Sequence, residues 1–199
     1  MSRRTMMWVS GAVLALLPMP ALGYSGIGST FGIVQGFLHP IGGLDHALAM
    51  IAVGILAACI GGRALWVVPA AFIGCMVVGA FLGARRIDLP YYETGIALSV
   101  VLLGALIASG RNLPIAVTAG LAGLFALFHG YAHGAELPLE VSPPGYAAGF
   151  ILATAALHAI GIGIYSAFAW LGPDLAVRAR QVAGIAIALI GIAILARWL

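Results

Sequence analysis

Charge is scarce in this 199-residue chain. Charged residues make up only 8% of it, and every one of its nine basic residues is an arginine. Hydrophobic residues account for 63% and the mean hydropathy is +1.13, which leaves too little polar surface for a water-soluble globule. The arginines are scattered and form no basic patch, so the net charge of +3 does not indicate a nucleic-acid partner. The composition predicts an integral membrane protein whose main neighbour is lipid.

Cysteine is almost absent as well. Cys59 and Cys75 both lie inside apolar stretches, where thiols usually pack as small hydrophobic groups. We therefore expect neither a disulfide nor a metal site built from thiolates.

The first residues have the pattern of an export signal. Two arginines, Arg3 and Arg4, precede an apolar run over residues 6–17, which is followed by two prolines and small residues up to Gly23. This order predicts a cleavable signal peptide over residues 1–23 and a single transmembrane domain over residues 24–199. An uncleaved first membrane helix is the alternative, and a partial twin-arginine match leaves the export route open.

Five later apolar stretches are long enough to cross about 30 Å of hydrocarbon at about 1.5 Å per residue. Short separators rich in glycine, proline or charge connect them. Together with the segment before them, they predict an all-α polytopic membrane protein, folded as a compact bundle of about six transmembrane helices. The five stretches are residues 64–82, 94–109, 114–133, 145–171 and 177–199.

The first segment after the signal behaves differently. A continuous helix over residues 26–60 would be about 50 Å long and would overshoot the membrane. The sequence HPIGG, from His39 to Gly43, therefore predicts a break, and we expect the two pieces to form one discontinuous crossing. Non-helical backbone at membrane depth persists where protein or a water-filled cavity surrounds it, and transporters use such breaks as binding sites.

Three potential metal ligands lie at or beside this break: His39, Asp45 and His46. Taken alone, each histidine could be packed or hydrogen-bonded, and Asp45 could be a helix N-cap. An ionisable residue inside the membrane is costly, and three together at a helix break favour ion binding. Asp45 could offset the positive helix dipole by capping or could coordinate an ion directly.

A second group of ligands follows in FHGYAHGAE. His129, His133 and Glu136 fall within about 40 degrees of one helix face, because residues three and four apart are neighbours on a helix. The alternative is that Gly134 stops the helix and that His133 and Glu136 only mark the water interface. The spacing predicts a stripe of three ligands.

Two further residues are secondary candidates for the ion pathway. His158 shares a helix face with Thr154 in the middle of an apolar stretch, where it could be a ligand or could make an interhelical hydrogen bond. Glu93 opens a membrane segment directly after two tyrosines, a position that also suits an ordinary interfacial carboxylate.

Imidazole nitrogens combined with carboxylate oxygens suit divalent nickel, cobalt or zinc, and ligand chemistry alone does not choose among the three. Transport also requires release, so we expect a passing metal ion with few simultaneous ligands and no tightly bound cofactor. A divalent ion moving inward gains about 4.6 kcal/mol per 100 mV, so membrane voltage could drive uptake.

The chain resembles the HupE/UreJ family of bacterial nickel permeases in HPIGGLDHALAM, FHGYAHGAE and GFILATAALHAIG. The resemblance covers most of the chain after the signal. It implies uptake of nickel, or cobalt, through the bacterial cytoplasmic (inner) membrane for hydrogenase or urease maturation, with delivery to a cytoplasmic nickel acceptor. It also strengthens Glu93 as a candidate. Neither the metal preference nor the oligomeric state can be read from the sequence.

Two other classes of function compete with a carrier. Two histidines four apart, a third histidine and an aspartate could hold zinc and activate water in an intramembrane hydrolase. A metal sensor or assembly subunit would bind an ion without moving it. The division of the ligands between a helix break and a separate helix face favours the carrier.

Overall fold

The structure is a computed structural model that describes residues 29–111, 113–138 and 141–198. Within these ranges it contains seven α-helices and no strand. The predicted signal peptide, residues 1–23, lies outside the described residues and stays a prediction. The helices are α1 (Ser29–Gly42), α2 (Leu44–Ile60), α3 (Ala64–Ala84), α4 (Tyr92–Ser109), α5 (Ile115–Ala135), α6 (Pro143–Leu171) and α7 (Pro173–Leu195).

Five helices, α3 to α7, are long and apolar enough to cross a membrane, and the bent pair α1–α2 adds a sixth crossing if it is counted as one. The predicted all-α polytopic fold is confirmed. Two predicted starts are too late, because α6 begins at Pro143 and α7 at Pro173. Proline needs no backbone donor in the first helical turn, so these prolines begin the helices that they were expected to precede.

The break in the first segment is narrower than predicted. Helix α1 continues through Pro40 to Gly42, and Gly43 alone interrupts the helix with an extended backbone, φ −91° and ψ 112°. The two helices meet there at 84°. Pro40 lies inside the last turn of α1 and does not end the helix, whereas the one extended residue, Gly43, redirects the whole chain. The end of α1 and the start of α2 therefore meet beside His39 and His46.

Close helix packing holds the bundle together. A side chain at Gly130 of α5 would overlap the Met76 carbonyl of α3, and one at Gly54 of α2 would overlap the His158 carbonyl of α6. Small residues let helix backbones approach closely in a membrane, where packing replaces the hydrophobic effect between helices. These contacts pack α5 against α3 and α2 against α6. The four helices that they hold in place carry candidate residues or the neighbours of candidate residues.

Several helix ends meet at one end of the bundle, which we call the site end. Tyr92 at the start of α4 contacts Tyr131 near the end of α5, with ring centroids 4.9 Å apart. Tyr146 near the start of α6 contacts His39 near the end of α1, with centroids 5.8 Å apart. Gly83 near the end of α3 packs against Tyr131 as well. The ends of α3 and α5 and the starts of α4 and α6 thus lie at the same end of the bundle as the break at Gly43.

Candidate metal-ion site

Four histidines from three helices form a contiguous group, which we call the histidine cluster: His39 of α1, His46 of α2, and His129 and His133 of α5. His46 contacts both histidines of α5, with ring centroids 4.7 Å apart in each case. His39 contacts His133 at 4.9 Å. The bend at Gly43 brings α1 and α2 to the same end of α5, so the two predicted ligand groups become one.

The two carboxylates lie beside two different histidines of this cluster. Asp45 Oδ1 accepts the backbone N–H of His46 at 2.8 Å and lies 2.8 Å from Nδ1 of the same histidine. Glu136 Oε2 lies 3.3 Å from His39 Nε2. Asp45 therefore orients the His46 ring, a role closer to that of a supporting group than to that of a direct ligand.

Exposure of the side chains falls from the edge of the cluster to its middle. The side chains of Glu136 and His39 are 51% and 35% exposed, whereas His129 and His133 are buried. Glu136 follows the last residue of α5, and its hydrogen bond with His39 lowers the pKa of its carboxyl group. The edge of the cluster thus presents an ionised carboxylate to the outside of the bundle.

Several buried ring nitrogens in the cluster have no hydrogen-bond partner among the described residues. They are Nε2 of His46, Nδ1 of His129 and both ring nitrogens of His133. Burying a polar group without a partner is unfavourable, and such groups in a folded protein call for an explanation. A site that receives a cation from outside would leave its nitrogen lone pairs in this state.

The cluster is not a closed metal cage. Among the residues that the structure describes, no three His, Cys, Asp or Glu side chains are arranged to hold one ion together. The predicted ligands therefore contact one another two at a time. Their side chains would have to rotate before three of them could bind one ion. This arrangement differs from structural zinc sites, in which four ligands surround the metal at once.

His158 does not join the cluster. Its ring is buried in α6, and neither of its nitrogens has a hydrogen-bond partner among the described residues. The ring of Phe72 separates it from His129, with centroid distances of 5.1 Å to His158 and 5.9 Å to His129. His158 therefore lies one aromatic ring deeper in the bundle than the cluster.

Glu93 lies in the first turn of α4 at the site end and is partly buried. It is within electrostatic reach of Glu136 and Asp45. The structure thus places this secondary candidate beside the cluster, although it shows no direct contact of Glu93 with a histidine.

Besides Tyr146 and Phe72, already described beside His39 and His129, sequence reasoning missed two further neighbours of the cluster. Ser99 of α4 lies 2.8 Å through its hydroxyl oxygen from His129 Nε2, and Phe150 of α6 stacks on His133 with centroids 5.3 Å apart. A hydroxyl in the middle of an apolar helix was a weak signal for Ser99, because polar groups inside the membrane need partners. Nothing in the sequence singles out Phe150 from the other apolar residues of α6.

Fold and site together define a polytopic membrane protein with a histidine-rich site inside its helix bundle. The family described as HupE / UreJ protein matches residues 12–194. Protein HupE of Rhizobium leguminosarum bv. viciae is 46% identical over 184 residues, which cover 92% of this chain and 94% of that relative. No solved structure matches the chain.

The chain therefore belongs to the HupE/UreJ family, and the resemblance found in its motifs is confirmed. Family membership makes it a membrane protein and not an enzyme. The intramembrane hydrolase considered from the sequence is accordingly set aside.

Proposed function

We propose that this protein carries a divalent transition-metal ion, nickel first and cobalt second, across the bacterial cytoplasmic membrane for hydrogenase or urease maturation. The observation that carries the proposal is the set of buried nitrogens on His46, His129 and His133 that have no hydrogen-bond partner among the described residues. Imidazole donors with nearby carboxylates and no thiolate fit nickel, cobalt or zinc. The name of the Rhizobium relative and the family description support a role beside hydrogenase or urease.

The exposed edge of the cluster serves as the entry. Glu136 attracts cations from outside, and His39 beside it offers the first imidazole. The ion then passes to His133, whose ring touches both His39 and His46. Within the cluster each transfer is between rings already in contact, so the ion keeps a histidine ligand from His39 to His129.

Loose coordination suits a carrier because conduction requires binding weak enough for the ion to leave. Pairs of histidines, in place of a closed cage, provide this property. Beyond His129 the ion passes Phe72 toward His158 and leaves at the opposite end of the bundle for a cytoplasmic nickel acceptor. Glu93 contributes negative charge at the mouth.

The test is radioactive nickel uptake into sealed proteoliposomes under an inside-negative voltage, with cobalt and zinc as competitors. We expect voltage-dependent accumulation in the native protein and its loss in His46→Ala. Gln35→Ala is the control, because Gln35 is an exposed polar residue of α1 outside the cluster. Stoichiometric binding of nickel without accumulation would contradict the carrier and favour a sensor or assembly subunit.

A further inference from the structure

We propose that Ser99 is a positioning residue for His129. It holds the ring in the form that carries its proton on Nε2, and it thereby leaves the Nδ1 lone pair for the ion. The benefit to transport rests on the proposed function, whereas the protonation pattern of His129 is a property of the metal-free protein.

The direction of the hydrogen bonds follows from counting protons. Ser99 is fully buried, and its hydroxyl oxygen lies 2.6 Å from the carbonyl oxygen of Ile96 and 2.8 Å from His129 Nε2. A serine hydroxyl has one proton to donate and two lone pairs. Two oxygens 2.6 Å apart repel unless that proton lies between them, so Ser99 donates to Ile96. The Ser99 oxygen must then accept from the Nε2–H of His129.

The other protonation pattern of the ring is unfavourable on two counts. A proton on Nδ1 would leave the Nε2 lone pair facing the lone pairs of Ser99. It would also bury an N–H donor that has no partner among the described residues, because none of them bonds to Nδ1 of His129. Leaving a buried donor unsatisfied costs its full desolvation free energy.

The ring of His46, which contacts that of His129, has the same arrangement: one of its nitrogens lies beside an oxygen atom of another side chain. Asp45 lies 2.8 Å from Nδ1 of His46, and Ser99 lies 2.8 Å from Nε2 of His129. The other ring nitrogen of each histidine has no partner within the part of the chain that the structure describes. Metal-binding histidines usually donate their second ring N–H to such an oxygen, which fixes the tautomer and the ring orientation. The touching rings of His46 and His129 therefore each keep one oriented, unprotonated nitrogen.

The first test is nitrogen NMR of metal-free protein labelled with ¹⁵N-histidine, in lipid nanodiscs at a pH where the ring is neutral. The His129 signals are assigned by their loss in His129→Gln. We expect a proton on Nε2 in the native protein and in Ser99→Thr, which keeps the hydroxyl, and a mixture of both tautomers in Ser99→Ala. A proton on Nδ1 in the native protein, or no change in Ser99→Ala, would overturn the assignment.

The second test is nickel uptake at varied nickel concentration. Loss of a group that orients a metal-binding histidine typically weakens affinity by about 10- to 100-fold, so KM should rise by that factor in Ser99→Ala and recover in Ser99→Thr. Ser109→Ala is the matched control, because Ser109 lies on the same helix and bonds to the carbonyl three residues earlier, Leu106, but is exposed.

The two tests separate the two proposals. If the tautomer shifts in Ser99→Ala but KM does not, the role of Ser99 in ion binding is wrong. If the native protein takes up no nickel, the proposed function fails, while the NMR result still decides the Ser99–His129 bond. An equal loss of protein from the membrane in Ser99→Ala and Ser109→Ala would contradict a specific role for Ser99.

Discussion

The histidine cluster and His158 are two buried histidine regions that differ in what surrounds the rings. In the cluster, oxygen atoms of Asp45, Ser99 and Glu136 each lie within hydrogen-bond or ion-pair distance of one histidine. Around His158 the nearby hydroxyl of Thr154 is already bonded to the Phe150 carbonyl at 2.8 Å. His158 also lines a pocket whose other lining residues are apolar, among them Leu65, Pro69 and Ile162.

We infer from this difference that burial alone would not make a metal site. A histidine becomes a good ligand when a second group fixes its tautomer and its direction, and His39, His46 and His129 each have such a group. His133 has no partner for either ring nitrogen among the described residues, but its ring contacts both His39 and His46. His158 has lone pairs but no orienting partner among the described residues, so it fits a brief contact on the way out. We therefore expect substitutions to have large effects in the cluster and small effects at His158.

The largest effect should come from His133→Ala. His133 is the one histidine that contacts both His39 and His46, so its removal separates the entry from the rest of the cluster. We expect voltage-driven nickel uptake to fall to background with normal amounts of protein in the membrane. Uptake within about twofold of the native rate, less than 0.5 kcal/mol in barrier height, would contradict the proposed path.

A substitution that disturbs the packing between helices should disrupt the histidine cluster although it replaces none of the candidate ligands. In Gly130→Ala the new methyl group would overlap the Met76 carbonyl and force α5 away from α3. We expect a large loss of folded protein, measured by thermal unfolding in detergent. Gly120→Ala on the same helix is the control, because no atom lies within 4 Å of the position its methyl group would take. Equal stability of the two variants would show that this contact is unimportant.

Asp45→Asn should have an intermediate effect. The amide keeps the shape of the side chain but removes the negative charge beside His46 Nδ1, and the expected loss of nickel affinity is about 10- to 100-fold. Asp88→Asn is the matched control, since Asp88 is exposed in the connection between α3 and α4. Isothermal titration with nickel measures both. A loss in Asp45→Asn no greater than in the control would remove Asp45 from the site.

His158→Ala should reduce uptake by only about three- to twentyfold, the scale of a single polar contact between membrane helices, about 0.6 to 1.7 kcal/mol. The measurement is the initial rate of uptake at saturating nickel. Complete loss of uptake with normal protein levels would mean that His158 is as essential as the cluster, and would remove the contrast between the two regions.

Glu136→Gln should have the smallest effect, because the side chain is half exposed and acts only by attracting ions. The hydrogen bond with His39 lowers the pKa of Glu136 below its ordinary value of 4.5, so the carboxylate stays ionised as the pH falls from 7 to 5. The ratio of native to variant uptake should therefore be equal at pH 7 and pH 5. A ratio that falls to one at pH 5 would contradict an ionised Glu136.

Much of the fold could be predicted because hydropathy and helix length determine membrane crossings. The break near Pro40 was predictable from its residues, but its position at Gly43 and its 84° angle depend on packing between helices. The two motifs predicted two separate ligand groups, and the contact of His46 with His129 and His133 that joins them came only from the structure. The role of Asp45 toward His46, and the contact of Ser99 with a histidine 30 positions away, could not be read from the sequence.

X-ray absorption at the nickel edge, on purified protein loaded with one equivalent of nickel, tests the central claim most directly. The cluster should give nitrogen ligands with the multiple-scattering pattern of imidazole rings, and this pattern should weaken in His46→Ala and in His129→Ala. The two cysteines lie outside the cluster, so no sulfur ligand is expected. A first shell of oxygen alone, or one containing sulfur, would contradict the account.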